Sequence, residues 1–129
     1  MHDQYNRKID YLRISLTDRC NLHCRYCQPE VSEHVTHNEI LRYEELLRIC
    51  RAALQLGIRK FKITGGEPLL RKGCSDFIAN LKQLEGAEQV TLTTNGTLLS
   101  NQLPALIAAG VDSINVSLDT LDAAYYLSL

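Results

Sequence analysis

YEELLRICRAALQLGIRKFKITGGEP, residues 43–68, decides how this chain folds. Its first half puts Leu46, Leu47, Ile49, Cys50, Ala53 and Leu54 on one face of a helix running from Tyr43 to Leu56, and Gly57 stops that helix. Its second half holds a short strand, Lys60-Phe61-Lys62-Ile63-Thr64, which ends in the turn Gly65-Gly66-Glu67-Pro68. The same alternation extends in both directions. Upstream, Tyr11 to Leu16 alternates polar and apolar residues as a first strand, and a cysteine-rich loop follows directly. Downstream, Asp76 to Leu84 reads as a helix with Phe77, Ile78, Leu81 and Leu84 inward, and Gln89 to Thr93 as a third strand ending in Thr94-Asn95-Gly96. Asn101 to Ala109 reads as a helix with Asn101 as N-cap, Pro104 in the first turn and Gly110 closing it. Asp112 to Leu118 is a fourth strand, and a further helix begins at Leu121 or Asp122.

Strands alternating with helices imply parallel βαβ units with right-handed crossovers, hence an α/β fold. In barrel-like folds of this class the active site gathers at the carboxyl ends of the strands. The unusual residues fall there: the cysteine loop, the Gly-Gly-Glu-Pro turn, Thr93-Thr94-Asn95-Gly96 and Ser117-Leu118-Asp119. Residues 1–129 read as one domain of about four βα units. Four parallel strands leave an open edge, so the expectation is an incomplete part of a longer barrel, aggregation-prone by itself.

Apolar residues make up 45% of the chain and charged residues 22%, the balance of a globular protein. A net charge of −1 supplies no basic excess for nucleic acid or an anionic membrane surface. No apolar run approaches the roughly 18 residues that a membrane-spanning helix needs. Unpaired cysteines and the lack of a signal-like N-terminus point to the cytoplasm.

Cys20-Asn21-Leu22-His23-Cys24-Arg25-Tyr26-Cys27 packs three thiols into one short loop. Three thiolates can hold three irons of a [4Fe–4S] cluster and leave the fourth open for chemistry. Three thiolates with His23, His34 or His37 could also make a closed Cys3His zinc site, a non-catalytic module. A disulfide framework would leave one of the five cysteines unpaired. In the Gly65-Gly66 turn, free amides would accept a carboxylate, while carbonyls together with Glu67 would bind an ammonium, so an amino-acid-like ligand suits it. Blander readings go to the rest: Cys50 packs, Cys74 is incidental, the three histidines and Arg71 are solvated, and Asp119 and Asp122 serve as turn and N-cap residues.

Cys-x3-Cys-x2-Cys after a first strand and Gly-Gly-Glu-Pro after a second resemble the radical S-adenosylmethionine (SAM) superfamily. The finer text of residues 10–21, 64–71, 93–96 and 114–122 is similar to its GTP 3′,8-cyclase family, which opens molybdenum-cofactor biosynthesis. The resemblance implies a partial parallel (βα) barrel of the radical SAM type. It implies that Cys20, Cys24 and Cys27 bind a [4Fe–4S] cluster whose open iron takes the amine and carboxylate of SAM, with Tyr26, Gly66 and Ser117 at SAM-contact positions. Arg13, Lys62 and Thr93 match GTP-contact positions, Lys62 standing where arginine is common. The implied reaction cleaves SAM with one electron, from a donor such as flavodoxin or ferredoxin. The resulting 5′-deoxyadenosyl radical takes the 3′ hydrogen of GTP, whose ribose carbon then closes on C8 of guanine. A homodimer is compatible with it. The family's second cluster, bound by three later cysteines, has no counterpart among these residues, so the expectation is a lyase domain inactive on GTP by itself. Another radical SAM enzyme, such as a peptide-modifying maturase, is the neighbouring alternative.

Overall fold

Four strands, β1 (Tyr11–Ser15), β2 (Lys60–Thr64), β3 (Gln89–Thr94) and β4 (Ser113–Val116), form one parallel sheet in sequential order. The computed structural model of the chain describes residues 2–24, 26, 27 and 39–126. His34 and His37 lie outside them. Helices α1 (Tyr43–Gln55), α2 (Cys74–Lys82) and α3 (Leu99–Ala108) supply the three crossovers, and a short helix α4 (Ala123–Tyr126) follows β4. Sequential strand order with every crossover returning over the same face is the winding of a barrel wall, not of a doubly wound sheet. No helix among the described residues is long and apolar enough to cross a membrane.

Register divides the sheet into two faces. Ile14, Ile63, Leu92 and Ile114 align across the four strands, with Phe61 and Val90 one step below. These residues pack under Leu46, Cys50 and Leu54 of α1, Phe77, Ile78 and Leu81 of α2, and Leu106 of α3. The Tyr43 and Phe77 rings stack 5.2 Å apart where α1 meets α2. The opposite face carries Arg13, Ser15, Lys62, Thr64, Thr91, Thr93, Ser113 and Asn115, a polar surface with no helix against it. Cover thins toward β4. Ile107, Val116, Leu118 and Leu121 are exposed, Leu121 at 92%, so β4 is an open apolar edge as four strands alone require.

Helix ends follow local chemistry. Gly57 and Gly110 take positive φ, and the bonds Ile58 N–H to Ala53 O (3.0 Å) and Val111 N–H to Leu106 O (3.2 Å) close α1 and α3 in the Schellman manner. Two starts differ from the sequence reading by two residues. α2 begins at Cys74, because Gly73 at φ 85° turns the chain without a side-chain cap. α3 begins at Leu99, wound up by the turn in which Leu99 N–H reaches Gly96 O at 3.0 Å. Asn101 is therefore not the N-cap. Pro104 falls inside the helix rather than in its first turn, on its exposed side, where the carbonyl that loses its partner can meet water. Asp122 does cap α4, accepting from Tyr125 N–H at 2.8 Å.

Asp112 fastens the start of β4. Its carboxylate accepts from Lys82 Nζ at 2.9 Å and from the Val90 amide at 2.6 Å. Burial pushes its carboxyl up, but the Lys82 ammonium and the Val90 amide outweigh that and hold it below the ordinary 3.8. A depressed carboxyl adds stability that is complete above the unfolded value and is lost as pH falls through the folded one. Asp112→Asn is expected to lower the urea midpoint at pH 7. Its curve should converge with that of the parent chain as the pH falls from 3.8 through the lower folded value. Parallel curves down to strong acid would contradict the assignment.

Candidate metal centre and polar face

The loop after β1 and the turn after β2 are joined backbone to backbone. Leu16 N–H bonds to Thr64 O at 2.9 Å, Gly66 N–H to Thr17 O at 2.7 Å, and Glu67 N–H to Arg19 O at 2.8 Å. Approach this close requires glycine: a Cβ on Gly66 would overlap the carbonyl of Arg19 and stand 2.7 Å from that of Asp18. The expectation from sequence left free amides in the Gly65-Gly66 turn for a ligand carboxylate, but the Gly66 amide and the Glu67 amide that follows are both taken. They hold the chain just ahead of Cys20. Glu67 differs as well. Its fully buried carboxylate accepts from Leu69 N–H (3.0 Å), the Thr94 hydroxyl (2.8 Å) and Asn95 N–H (2.7 Å), and is not presented to an ammonium.

Through Asn95 this network reaches the cysteines. Asn95 Nδ2 donates to Asn21 Oδ1 at 2.9 Å and lies 3.8 Å from Cys20 Sγ, and Asn21 Nδ2 donates to Thr97 Oγ1 at 2.9 Å. Leu22 N–H also points at Cys20 Sγ, at 3.4 Å. Cys27 N–H bonds to Cys24 O at 2.9 Å, making one tight turn of the two. Burial pushes the Cys27 thiol up, and the neighbouring Cys24 and Cys20 push it further, so the three sulfurs sense one another. A cation removes that repulsion, and metal binding would release the protons. Among the described residues no three cysteines, histidines or acids gather around a single ion. Three thiols carried on one loop suit a cluster, in which each cysteine holds its own iron.

Tyr26, between the last two cysteines' turn and the rim of β4, donates its hydroxyl to Asp119 Oδ2 at 2.7 Å. That bond, with burial and the nearby thiols, raises the phenol well above its usual range. Asp119 stands two residues beyond Ser117, whose amide bonds to Thr94 O at 2.9 Å. Tyr26, Gly66 and Ser117 thus share one rim. Below it, on the polar face, Arg13 and Lys62 are direct register partners on adjacent strands. Arg13 Nε donates to Thr64 Oγ1 at 3.2 Å, and neither cation forms an ion pair among the described residues. Thr93, in the next row toward the rim, has a buried Oγ1 with no hydrogen-bond partner. Like charges directly opposite one another repel. An anion between them would relieve that, and a ligand atom near Thr93 would satisfy its hydroxyl.

The pattern is that of an α/β protein with a three-cysteine loop on its rim and a polar sheet face suited to a ligand. Residues 14–128 match the family model of the radical SAM superfamily, and the chain belongs to that superfamily. With membership come a [4Fe–4S] cluster and S-adenosylmethionine as cofactors. Among curated proteins it is similar to GTP 3′,8-cyclase of Geobacter sulfurreducens (53% identical over 122 residues, 94% of this chain and 37% of that one). It is likewise similar to GTP 3′,8-cyclases of Thermodesulfovibrio yellowstonii (53% identical, 95% and 38%) and Pelotomaculum thermopropionicum (49% identical, 100% and 40%). The chain spans about two fifths of the length of these relatives. Among solved structures, BtrN in an open conformation matches with a TM-score of 0.64 at 21% identity, over 86% of this chain and 50% of that one, and supports the fold.

Sequence reasoning placed Asn21, Asn95 and Asp119 in rim motifs without giving Asn21 or Asn95 a role beside the cysteines or Asp119 one beside Tyr26, and it missed Thr97. Cys50 is buried, as expected of packing, whereas Cys74, read as an incidental loop residue, is buried as the first residue of α2; burial raises their thiols to about 11 and about 12. Gly66→Ala is expected to displace the Thr17–Arg19 backbone and lower the urea midpoint by the equivalent of roughly 2 kcal/mol or more, in the range of strained or overpacked sites. An unchanged midpoint would mean that the turn and the loop are not in contact.

Proposed function

We propose that this chain is the cofactor-binding part of a GTP 3′,8-cyclase of molybdenum-cofactor biosynthesis, acting in the cytoplasm as a lyase domain. One observation carries the substrate class: Arg13 and Lys62 are register partners on the polar side of the sheet with no ion pair among the described residues, below the buried, unpartnered hydroxyl of Thr93. A triphosphate between the two cations turns a repulsive pair into a binding site. Thr93 would then take a polar atom of the nucleotide, nearer the rim.

In this reading Cys20, Cys24 and Cys27 hold the cluster, and Tyr26, Gly66 and Ser117 stand around SAM. When bound, cluster and SAM together supply homolytic hydrogen abstraction. The chain's own residues do the placing. With the Gly66 and Glu67 amides engaged by Thr17 and Arg19, the turn would offer its carbonyls to the amino-acid end of SAM. Asn95, held by Glu67, sets the Cys20 sulfur. Lys62 gives charge without the planar fork of arginine, so it serves as a point contact to phosphate. The electron comes from a low-potential donor of the flavodoxin or ferredoxin kind. Cys50 and Cys74 are buried on helices, so no set for a second cluster exists in these residues.

The test is anaerobic incubation of the iron–sulfur-loaded chain with dithionite, SAM and GTP. The expected result is 5′-deoxyadenosine and methionine without cyclised GTP. GTP binding should weaken about tenfold in Arg13→Ala and in Lys62→Ala, the size of one charge-assisted contact. If neither substitution changes GTP binding, the substrate assignment fails; if no 5′-deoxyadenosine forms, the cofactor assignment fails.

A further inference from the structure

Arg71, read from the sequence as a solvated charge, grips both ends of the cysteine loop. Its Nη1 donates to Leu16 O at 2.7 Å, where β1 ends, and its Nη2 to Leu41 O at 2.6 Å, just before α1 begins. The guanidinium lies over the Tyr43 ring, 4.2 Å from its centroid, and the Tyr43 hydroxyl returns a bond to Arg71 O at 3.3 Å. Its own backbone is fixed at the end of the short 3₁₀ turn Pro68–Leu70, where Arg71 N–H bonds to Pro68 O at 3.1 Å. That turn directly follows Glu67, so the grip shares its footing with the network that reaches Asn95 and Cys20.

Everything between Leu16 and Leu41, including Cys20, Cys24 and Cys27, is carried on one long connection. The separation of its two ends constrains where such a connection can run. Leu16 is already held by β2, through its amide on Thr64. The far end has no strand to hold it. A planar fork with two parallel donors can fix the separation of two carbonyls, which a single ammonium cannot. Stacking on Tyr43 keeps the fork from swinging toward water.

We propose that Arg71 is a positioning residue for the iron–sulfur cluster, setting the span between the two ends of the cysteine loop so that its three thiols meet the cluster together. The proposal rests on the reading of Cys20, Cys24 and Cys27 as cluster ligands. Partners outside the ligand shell typically change metal retention by about 10- to 100-fold when removed. Arg71→Gln is therefore expected to lose iron to a ferrous chelator at least about tenfold faster than the parent chain. Its reduced-state EPR signal should be broadened by a spread of loop conformations. Arg71→Lys keeps the charge and the stacking but one donor point, and should fall between the two. Lys72→Gln, an exposed neighbour, should match the parent. In the metal-free chains, hydrogen exchange should quicken around Leu16–Arg19 and Leu41–Tyr43 and stay unchanged in β2 and β3. Equal chelator half-lives and equal EPR line widths across parent, Arg71→Lys and Arg71→Gln would overturn the proposal. Failure of the parent chain itself to take up a cluster would instead overturn the ligand assignment on which it rests.

Discussion

A buried carboxylate organises the rim of this sheet. Glu67 has no exposed surface, and its two oxygens take three donors from two different turns. A charged acceptor inside a protein is tolerated only when such donors replace water, and removing any of them leaves a costly unpaired group. The constraint runs outward in two directions. Toward β3 it fixes Thr94 and Asn95, and Asn95 carries it to Asn21 and Cys20. Along its own chain it starts the 3₁₀ turn that presents Arg71. With the neighbouring Gly66 sewn to Thr17, turns that are distant in sequence become one rigid rim.

Stability and ligand binding are divided between the faces of the sheet. The helix-covered face is aliphatic and aromatic, with Phe61, Ile63, Val90 and Leu92 fully buried. Burial at this level is what offsets the entropy of ordering the chain. The other face contributes little of that kind. It sets Arg13 beside Lys62 and leaves the Thr93 hydroxyl without a partner, arrangements that a purely structural surface would avoid. Local rules broken together, in one place and on one face, are what the proposed ligand site rests on.

Much of this was legible in the sequence. Period-3.6 and period-2 patterns placed every helix and strand, and Gly57 and Gly110 marked two helix ends correctly, because those signals are local. The starts of α2 and α3 were not legible. Gly73 and Leu98 stand at those ends with no side-chain cap to read. The three cysteines announced themselves by spacing. Glu67 and Arg71 did not, because the sequence does not record whether a charge is buried, and Leu16, Leu41, Thr94 and Asn95 are remote from them or unremarkable in type. Gly66 was singled out correctly for a close approach, but the approaching atoms belong to the chain's own Asp18 and Arg19.

In the proposed arrangement Cys20, Cys24 and Cys27 would hold a [4Fe–4S] cluster and leave one iron open at the rim, near Tyr26 and Ser117. The measurement that decides it is EPR of the anaerobically reconstituted and reduced chain, recorded with and without S-adenosylmethionine. A reduced [4Fe–4S] signal whose g values shift when S-adenosylmethionine is added is expected. A cluster signal indifferent to it, or zinc bound in place of any cluster, would overturn the three-cysteine cluster assignment.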